Sequence, residues 1–545
     1  MARQNQAPVS FNKSIRTDRT TAVTSGRAGK IYPVDYIPLL RGDSLSGSVA
    51  IDINLAEMPK PVLNAVVLNV QAWFVPKSAH PQFSGYDEFV HSYQSENIKS
   101  LGVSGEESRA APPLFFQDTV LDSAILESDF FKTLGVHLLP TIDYQVDLID
   151  AYNLIVNFRK SAYTDRLPRR PYFSENPANA TSLSRAFWPK GRHSSWVPDY
   201  ERALILGDLA LDIAAGQIPV SGIGVGVGAA SGSVSVQETD NGTVTFDNHW
   251  FGNDVKVEKH PDGGPNIFAE MGGQPVSTFL ADIDKARVAQ SFAKLRSSYA
   301  GNDATGFDNA DALVAELMQG FSVPSDLFKR PWLLDAKMQP FGWSERFATD
   351  AANLDQSVTQ GMISTTLNLN VPKQDTGGVI VVTVEVVPEY ILEAASDEWF
   401  YARDANHLPD ALRDVQRTEP VDNVTNRRMD ARHSTPNALY GYEPMNAQWN
   451  REFTRLGGKF YNPDPLDPFT ESRSSLWLSG VVNPTFGAEH YHCPANLPHD
   501  VFSDTLADAW EAVIRHDAKI VGLTQIGDVL VENNDDYAAV TAENE

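Results

Sequence analysis

The sequence has almost no cysteine. Its 545 residues contain one, Cys493, so no disulfide can form within the chain and nothing calls for an oxidising compartment. Long hydrophobic runs are also missing. No stretch approaches the roughly 18 apolar residues of a spanning helix, so no membrane insertion is expected. The opening "MARQNQAPVSFNKS" lacks an apolar h-region, so no secretory signal is expected. Basic charge is scarce: 44 Lys and Arg against 70 Asp and Glu leave a formal net charge of −26. Phosphate affinity comes from Lys and Arg, so a broad nucleic-acid surface is excluded and any such contact must be local.

The signatures of catalysis are absent as well. There is no G-x-S-x-G, no H-E-x-x-H and no paired C-x-x-C. Carboxylates are so abundant that pairs at hydrolase spacing arise by chance, and none is singled out as acid or base. "GIGVGVG" continues as "AASGSVSVQ" rather than as a helix opening, and no GK[ST] follows, which excludes a phosphate loop. Arg41-Gly42-Asp43 lies between two strand-like runs, where Gly and Asp are ordinary turn residues. No strand–helix alternation and no internal repeat occur, which argues against a doubly wound sheet, a solenoid or a propeller.

What is present is β patterning. In "SVAIDINL", Val49, Ile51, Ile53 and Leu55 alternate with Ala50, Asp52 and Asn54. In "LNAVVLNVQAWF", Val66, Leu68, Val70, Ala72 and Phe74 share one face. "MISTTLNLNVP" repeats the alternation, and the run Val379–Val387 suits a strand buried on both faces. "SSLWLSGVV" is a further expected strand. Helical spacing appears over 145–160, 279–301 and 308–321, and again in "SDTLADAWEAVIRH", with Ser503 as N-cap. Residues 213–275 are rich in Gly, Ser and Val and read as hairpin-like or flexible surface structure, an insertion. The fold class is therefore mainly β, a sandwich or jelly roll whose strands are separated by very long loops. Loops of that length are uncommon in a compact monomer and are usually functional.

The most site-like cluster is "EHYHCPANLPHD", where His490, His492, Cys493 and His499 are candidate Zn²⁺ or Cu²⁺ ligands. The spacing matches no standard site, so the expectation is no metal, no cofactor and a loop packing its own side chains. "FRKSAYTDRLPRRPYF" and "SRAFWPKGRH" interleave basic and aromatic residues. That pattern serves single-stranded nucleic acid or protein interfaces, and the acidic chain favours an interface. Charge is uneven at the ends: residues 1–30 form a basic arm, and residues 531–545 carry acids and no base.

Taken in order, these segments resemble the major capsid protein of the Microviridae, small icosahedral single-stranded DNA bacteriophages, in particular its gokushovirus-like members. The likeness starts with the basic arm and first strands, through Arg41-Gly42-Asp43 to Trp73-Phe74-Val75-Pro76. It continues in "DAYNLIVNFRKSAYTD" with Tyr152, Ile155, Asn157, Phe158 and Arg159. "RVAQSFAKLRSSYAG" and "ALVAELMQGFSVPSDLFKRPWLLDAKMQPF" follow, and then "LYGYEPMNAQWNREFTRLGGKFY" with Gly441, Tyr442, Trp449 and Arg451.

The resemblance implies a non-enzymatic structural protein with a single eight-stranded antiparallel jelly roll and long, partly helical insertions. It implies self-assembly into a T=1 icosahedral shell, sixty copies by symmetry, around a single-stranded DNA genome. The domains would be a basic arm (1–30), a jelly-roll body (31–502) bearing the 213–275 insertion as a three-fold protrusion, and a C-terminal helix with an acidic tail (503–545). Tyr440, Tyr442, Trp449, Arg451, Phe453, Arg455, Phe460 and Tyr461 would be subunit-interface residues. Lys13, Arg16, Arg19 and Arg27 would meet DNA phosphates or a partner such as a small basic packaging protein. Further partners would be other virion proteins and a host surface receptor, with the chain in the virion after assembly in the host bacterial cytoplasm. The alternative is a β-sandwich polysaccharide hydrolase or carbohydrate-binding protein. A third reading is a phage tail or receptor-binding component.

Overall fold

The structure, a computed structural model, describes residues 13–199, 217–219, 234–238, 242–246, 250–251, 254–255, 268–270, 329–347, 357–462 and 473–526, apart from 84, 103–104, 111–113, 116, 119–122, 141, 165–166, 416, 418–420, 453 and 479–481. The strands used below are, in chain order, β1 (Ser14–Gly26), β2 (Lys30–Leu39), β3 (Ser44–Leu55), β4 (Val66–Pro76), β5 (Ser184–Arg185), β6 (Trp332–Pro340), β7 (Gly342–Phe347), β8 (Ser357–Val371), β9 (Gly378–Pro388), β10 (Val421–Thr425), β11 (Leu439–Pro444) and β12 (Trp510–Gly522). The helices are α1 (Tyr86–Tyr93), α2 (Asp129–Leu134) and α3 (Asp147–Ser161).

Ten of these strands form two antiparallel five-stranded sheets, in the orders β1-β12-β3-β8-β7 and β6-β4-β9-β2-β5. The alternation read in the sequence aims Val49, Ile51 and Ile53 of β3 and Leu367 and Leu369 of β8 inward from the first sheet, and Ile514 and Ile520 of β12 point the same way. They join Val70 of β4, Ile380, Val382 and Val384 of β9, and Ile37 of β2 in one hydrophobic cluster. Each such side chain contributes about 1.5–3 kcal/mol relative to remaining exposed. The other face of β9 is also covered. Val379 and Val381 pack with Ala151, Leu154 and Ile155 of α3, which accounts for the nearly unbroken apolar run.

Helix α3 forms where its spacing predicts it. Asp147 and Asp150 in the first turn and Arg159 and Lys160 in the last complement its macrodipole. Its Tyr152 hydroxyl donates to the Ile31 carbonyl (2.9 Å) and accepts from the Ser184 amide (2.9 Å). Arg159 grips the fully buried Glu385 of β9 with both terminal guanidinium nitrogens. In the turn after β2, Gly42 takes a φ of +83°, a conformation that L side chains rarely adopt, and Asp43 accepts from the Leu40 amide (2.7 Å). The Arg-Gly-Asp stretch is a turn whose Gly42 and Asp43 are buried.

Several expectations are corrected. "SDTLADAWEAVIRH" is not a helix: Trp510–Gly522 is a strand, hydrogen-bonded on both sides between β1 and β3. The same residues carry a period of two, with Trp510, Ala512, Ile514, His516, Ala518 and Ile520 buried alternately, and two flanking strands decide the outcome. Residues 14–26 of the basic arm form a strand, β1, that pairs with β12 along its full length. "SSLWLSGVV" forms no strand over its described residues. Leu476 and Trp477 are buried, and there the Trp477 amide donates to the Asn64 side-chain oxygen (2.8 Å) and its indole donates to the Pro498 carbonyl (2.7 Å). The expected helices at 279–301 and 308–321 lie outside the described residues.

The chain divides into two compact units, residues 1–203 with 296–545, and Leu204–Leu295. The second unit contains the Gly-rich stretch. There Val234–Glu238 and Gly242–Phe246 pair as an antiparallel hairpin, as the composition suggests.

The first sheet is tied to the second by a buried histidine. His516 of β12 bonds Asp35 of β2 (2.7 Å) and Asp18 of β1 (3.1 Å) through its two ring nitrogens. Burial alone would lower its pKa, but the two carboxylates outweigh it and raise it above the ordinary 6.5. A base whose folded pKa is raised stabilises the fold fully below its unfolded value and loses that contribution as pH rises through the folded value. The urea midpoint of the wild-type chain is therefore expected to fall relative to His516→Gln as pH rises from about 6 to about 9. A midpoint difference independent of pH would show that the imidazolium does not bridge the sheets.

Candidate interaction surfaces

Beyond the sheets, the segment from Tyr390 to Pro498 builds a second, smaller core. Strands β10 and β11 pair antiparallel, with a bulge at Val424/Thr425. Trp196, Leu392, Val424, Met429 and Tyr440 cluster beneath the pair. Arg428 and Glu443, both almost fully buried, form a two-pronged ion pair, and Glu443 also accepts from the Trp196 indole (3.0 Å). The Arg428 guanidinium sits 5.0 Å from the Trp196 ring centroid. Burying such a pair is tolerable where extra contacts offset the desolvation of the charges, as the Trp196 indole does for Glu443 and its ring face does for Arg428.

The histidine-rich loop is divided between this core, which His490 joins, and the main core, which holds Cys493 and the Phe187 against which His492 packs. His490 contacts the Tyr440 hydroxyl (3.1 Å) and, through its other ring nitrogen, the His193 carbonyl (2.7 Å). It also stacks on Phe486 at 4.4 Å. Burial lowers its pKa to about 4. Burial, with nearby Lys160, Arg185 and Arg159, lowers that of His492 to about 3. Both are held neutral as packing groups. Cys493 is fully buried and its thiol is pushed well up by burial, while its amide donates to the Ala186 carbonyl (2.9 Å). His499 accepts from the Ala28 amide (3.2 Å) and donates to the Leu497 carbonyl (2.7 Å). The four candidate ligands thus serve separate intrachain contacts. Among the described residues no group of three or more His, Cys, Asp or Glu side chains comes together in a metal-holding arrangement.

The outer side of this region opens into a cavity of about 440 Å³. Its walls come from the stretch after β9, from the short helical turn Glu398–Tyr401 and from the segment after β11. Trp399 meets Trp449 edge to face at 6.1 Å. The Arg427 guanidinium covers Tyr401 at 4.1 Å and pairs with Glu398 at 2.8 and 3.1 Å. Around these, Arg451 pairs with Asp397 and Arg417 with Asp422 (2.6 Å). Beside the cavity the surface is unusually apolar: Trp399 is 54% exposed, Phe400 75% and Leu412 79%.

The residues expected at subunit interfaces separate into two groups. Tyr440 is core, and Tyr442 lies in β11 with its backbone bonded to Val197 (2.8 and 2.9 Å). Trp449 and Arg451 line the cavity, Arg455 and Tyr461 are exposed, and Phe460 is half-buried. Phe453 lies outside the described residues. Of the expected phosphate contacts, Arg16 is paired with buried Asp43 (2.5 Å), Arg19 with exposed Asp517 (3.0 Å), and Arg27 donates to the Leu506 (2.9 Å) and Thr505 (3.1 Å) carbonyls. These three arginines hold the chain to itself, and Lys13 is exposed. The basic–aromatic stretches are likewise used internally. Arg159 pairs with Glu385, Arg170 ties Asn153 (2.7 Å), and Trp188 stacks on Tyr390 at 4.4 Å.

Sequence reading passed over Trp399, Phe400 and Tyr401. Three consecutive aromatics inside the polar run "ASDEWFYARDANH" belong to no helix or strand period, and that mismatch was the available signal. Comparison with protein-family models and with curated proteins finds no match for this chain.

Proposed function

We propose that the chain is a structural capsid protein built on an eight-stranded jelly roll, which self-assembles into a T=1 shell around a single-stranded DNA genome. The observation that carries this reading is the strand order. Setting aside the flanking strands β5 and β7, the eight long strands in chain order lie as first-eighth-third-sixth in one sheet and second-seventh-fourth-fifth in the other. First pairs with eighth, second with seventh, third with sixth and fourth with fifth, as when one long hairpin is rolled into two layers. That interleaving supports a jelly roll of the kind found in viral capsid and lectin domains.

Two further features support a shell over a lone domain. Long insertions leave the sheets between strands β4 and β6 and between β9 and β12, and they carry exposed large apolar side chains such as Phe400, Leu412 and Tyr461. Such surface is costly in water and is expected where neighbouring copies cover it. The acidic chain also requires a basic partner or counterions to hold a genome close, because the arginines of β1 are already paired within the chain. Surface loops of the shell would meet a host receptor.

The test is negative-stain electron microscopy of the purified chain with sedimentation velocity on the same sample. Uniform closed shells are expected. A chain that stays monomeric with single-stranded DNA and a basic packaging protein present, and that turns over a polysaccharide, would sink the proposal.

A further inference from the structure

We infer that the cavity beside Trp399 and Trp449 is a binding site for a neutral saccharide. The cavity's volume of about 440 Å³ falls within the roughly 300–1,000 Å³ usual for small-molecule sites. Its walls combine aromatic rings with short, planar polar side chains. Trp399, Tyr401 and Trp449 supply flat apolar surface for the C–H faces of a sugar ring. Asn423 and Gln448 line the cavity with amides that have no hydrogen-bond partner among the described residues. An amide presents a donor and an acceptor side by side, which matches a pair of neighbouring hydroxyls.

The charges decide which ligand class fits. The cavity holds several ionised groups, yet they are already compensated. Asp397 is paired with Arg451, Asp422 with Arg417, and Glu398 with Arg427. Arg413 donates to the Ala405 (2.6 Å) and Leu408 (2.8 Å) carbonyls, and Asp414 accepts from the Asn446 amide (2.7 Å). A phosphate or carboxylate ligand would have to break one of these pairs, and a cation would have to break one or displace the Asn446 amide from Asp414. A polyhydroxylated neutral molecule need not, because each carboxylate oxygen keeps a lone pair for a hydroxyl donor. An aliphatic ligand would leave the amides unsatisfied.

This inference deepens the capsid reading by giving the receptor contact a chemistry, but its test does not depend on shell formation. The full-length chain is titrated by calorimetry with glucose, galactose, N-acetylglucosamine, maltose and dextran, and with glucuronate and glucosamine as charged counterparts. Saturable binding of at least one neutral sugar is expected, with a Kd at or below about 1 mM and charged counterparts about tenfold weaker or more. Trp399→Ala and Gln448→Ala are each expected to weaken it about tenfold or more, with an unchanged urea midpoint. If the natural ligand is a free sugar, dextran gains nothing over maltose. If it is a cell-surface glycan, assembled particles bind dextran far more tightly than the monomeric chain does, through multivalency. No saturation by any neutral sugar up to about 50 mM overturns the inference. So does binding that Trp399→Ala leaves unchanged. Loss of shells in Trp399→Ala with flat sugar titrations in the wild type would instead make the aromatic rim a subunit contact.

Discussion

Glu443→Ala is expected to destabilise the chain by about 3–5 kcal/mol, read as a fall in the urea midpoint. The substitution leaves the Arg428 guanidinium in the second core without its carboxylate and removes the acceptor of the Trp196 indole. The guanidinium is almost fully buried, so water cannot replace the lost partner without opening the core around Val424, Met429 and Tyr440. The cost is that of an uncompensated charge rather than of a missing contact. Replacing both partners by apolar residues of similar volume, Arg428→Met with Glu443→Leu, is therefore expected to recover most of the loss. If the single and double variants lose the same stability, the ion pair is not the cause.

A loss of similar size, about 3–5 kcal/mol, is expected for Trp510→Ala. Trp510 is fully buried at the start of β12 and meets Tyr32 of β2 edge to face at 5.1 Å. The space is tight: a Cβ added at Gly26, opposite Trp510 in the ladder, would lie 2.6 Å from the Tyr32 ring and 2.8 Å from the indole. Little can shift inward to fill the gap, so the cavity term adds to the lost transfer term. The indole N–H has no partner among the described residues. Trp510→Phe, which removes that unsatisfied donor and keeps most of the ring, is expected to cost much less than Trp510→Ala. Equal losses in the two variants, measured by thermal unfolding, would show that ring packing is not what Trp510 contributes. Because β12 joins β1 to β3, the Ala variant is also expected to lose hydrogen-exchange protection first along β1.

The two sheets were legible to different extents. Strands β3, β4, β8 and β9 could be read from alternation or from an unbroken apolar run, and α3 from its spacing. β12 could not, because "LADAWEAVIRH" satisfies a helical period and a strand period at once. β1 was hidden for another reason. As an edge strand it buries little of its own surface, so its composition reads as a solvated basic arm. The candidate ligands His490, His492, Cys493 and His499 looked like a site because they are close in sequence. The chain directs His490 to Tyr440, His492 to Phe187, Cys493 to the main core and His499 to the Ala28 amide instead.

The sequence by itself determined the mainly β class, the absence of a disulfide within the chain and the strongly acidic surface. These follow from composition and from side-chain periods, which are local properties. Only the tertiary structure decided which strands neighbour one another, that β12 is a strand, and that the arginines of β1 are paired within the chain. It alone brought Trp399 beside Trp449, fifty residues further along the chain. The physical reason is common to all of these. Pairing and burial depend on residues hundreds of positions apart, as with Arg19 and Asp517 or Asp35 and His516, and no local pattern records such a partner.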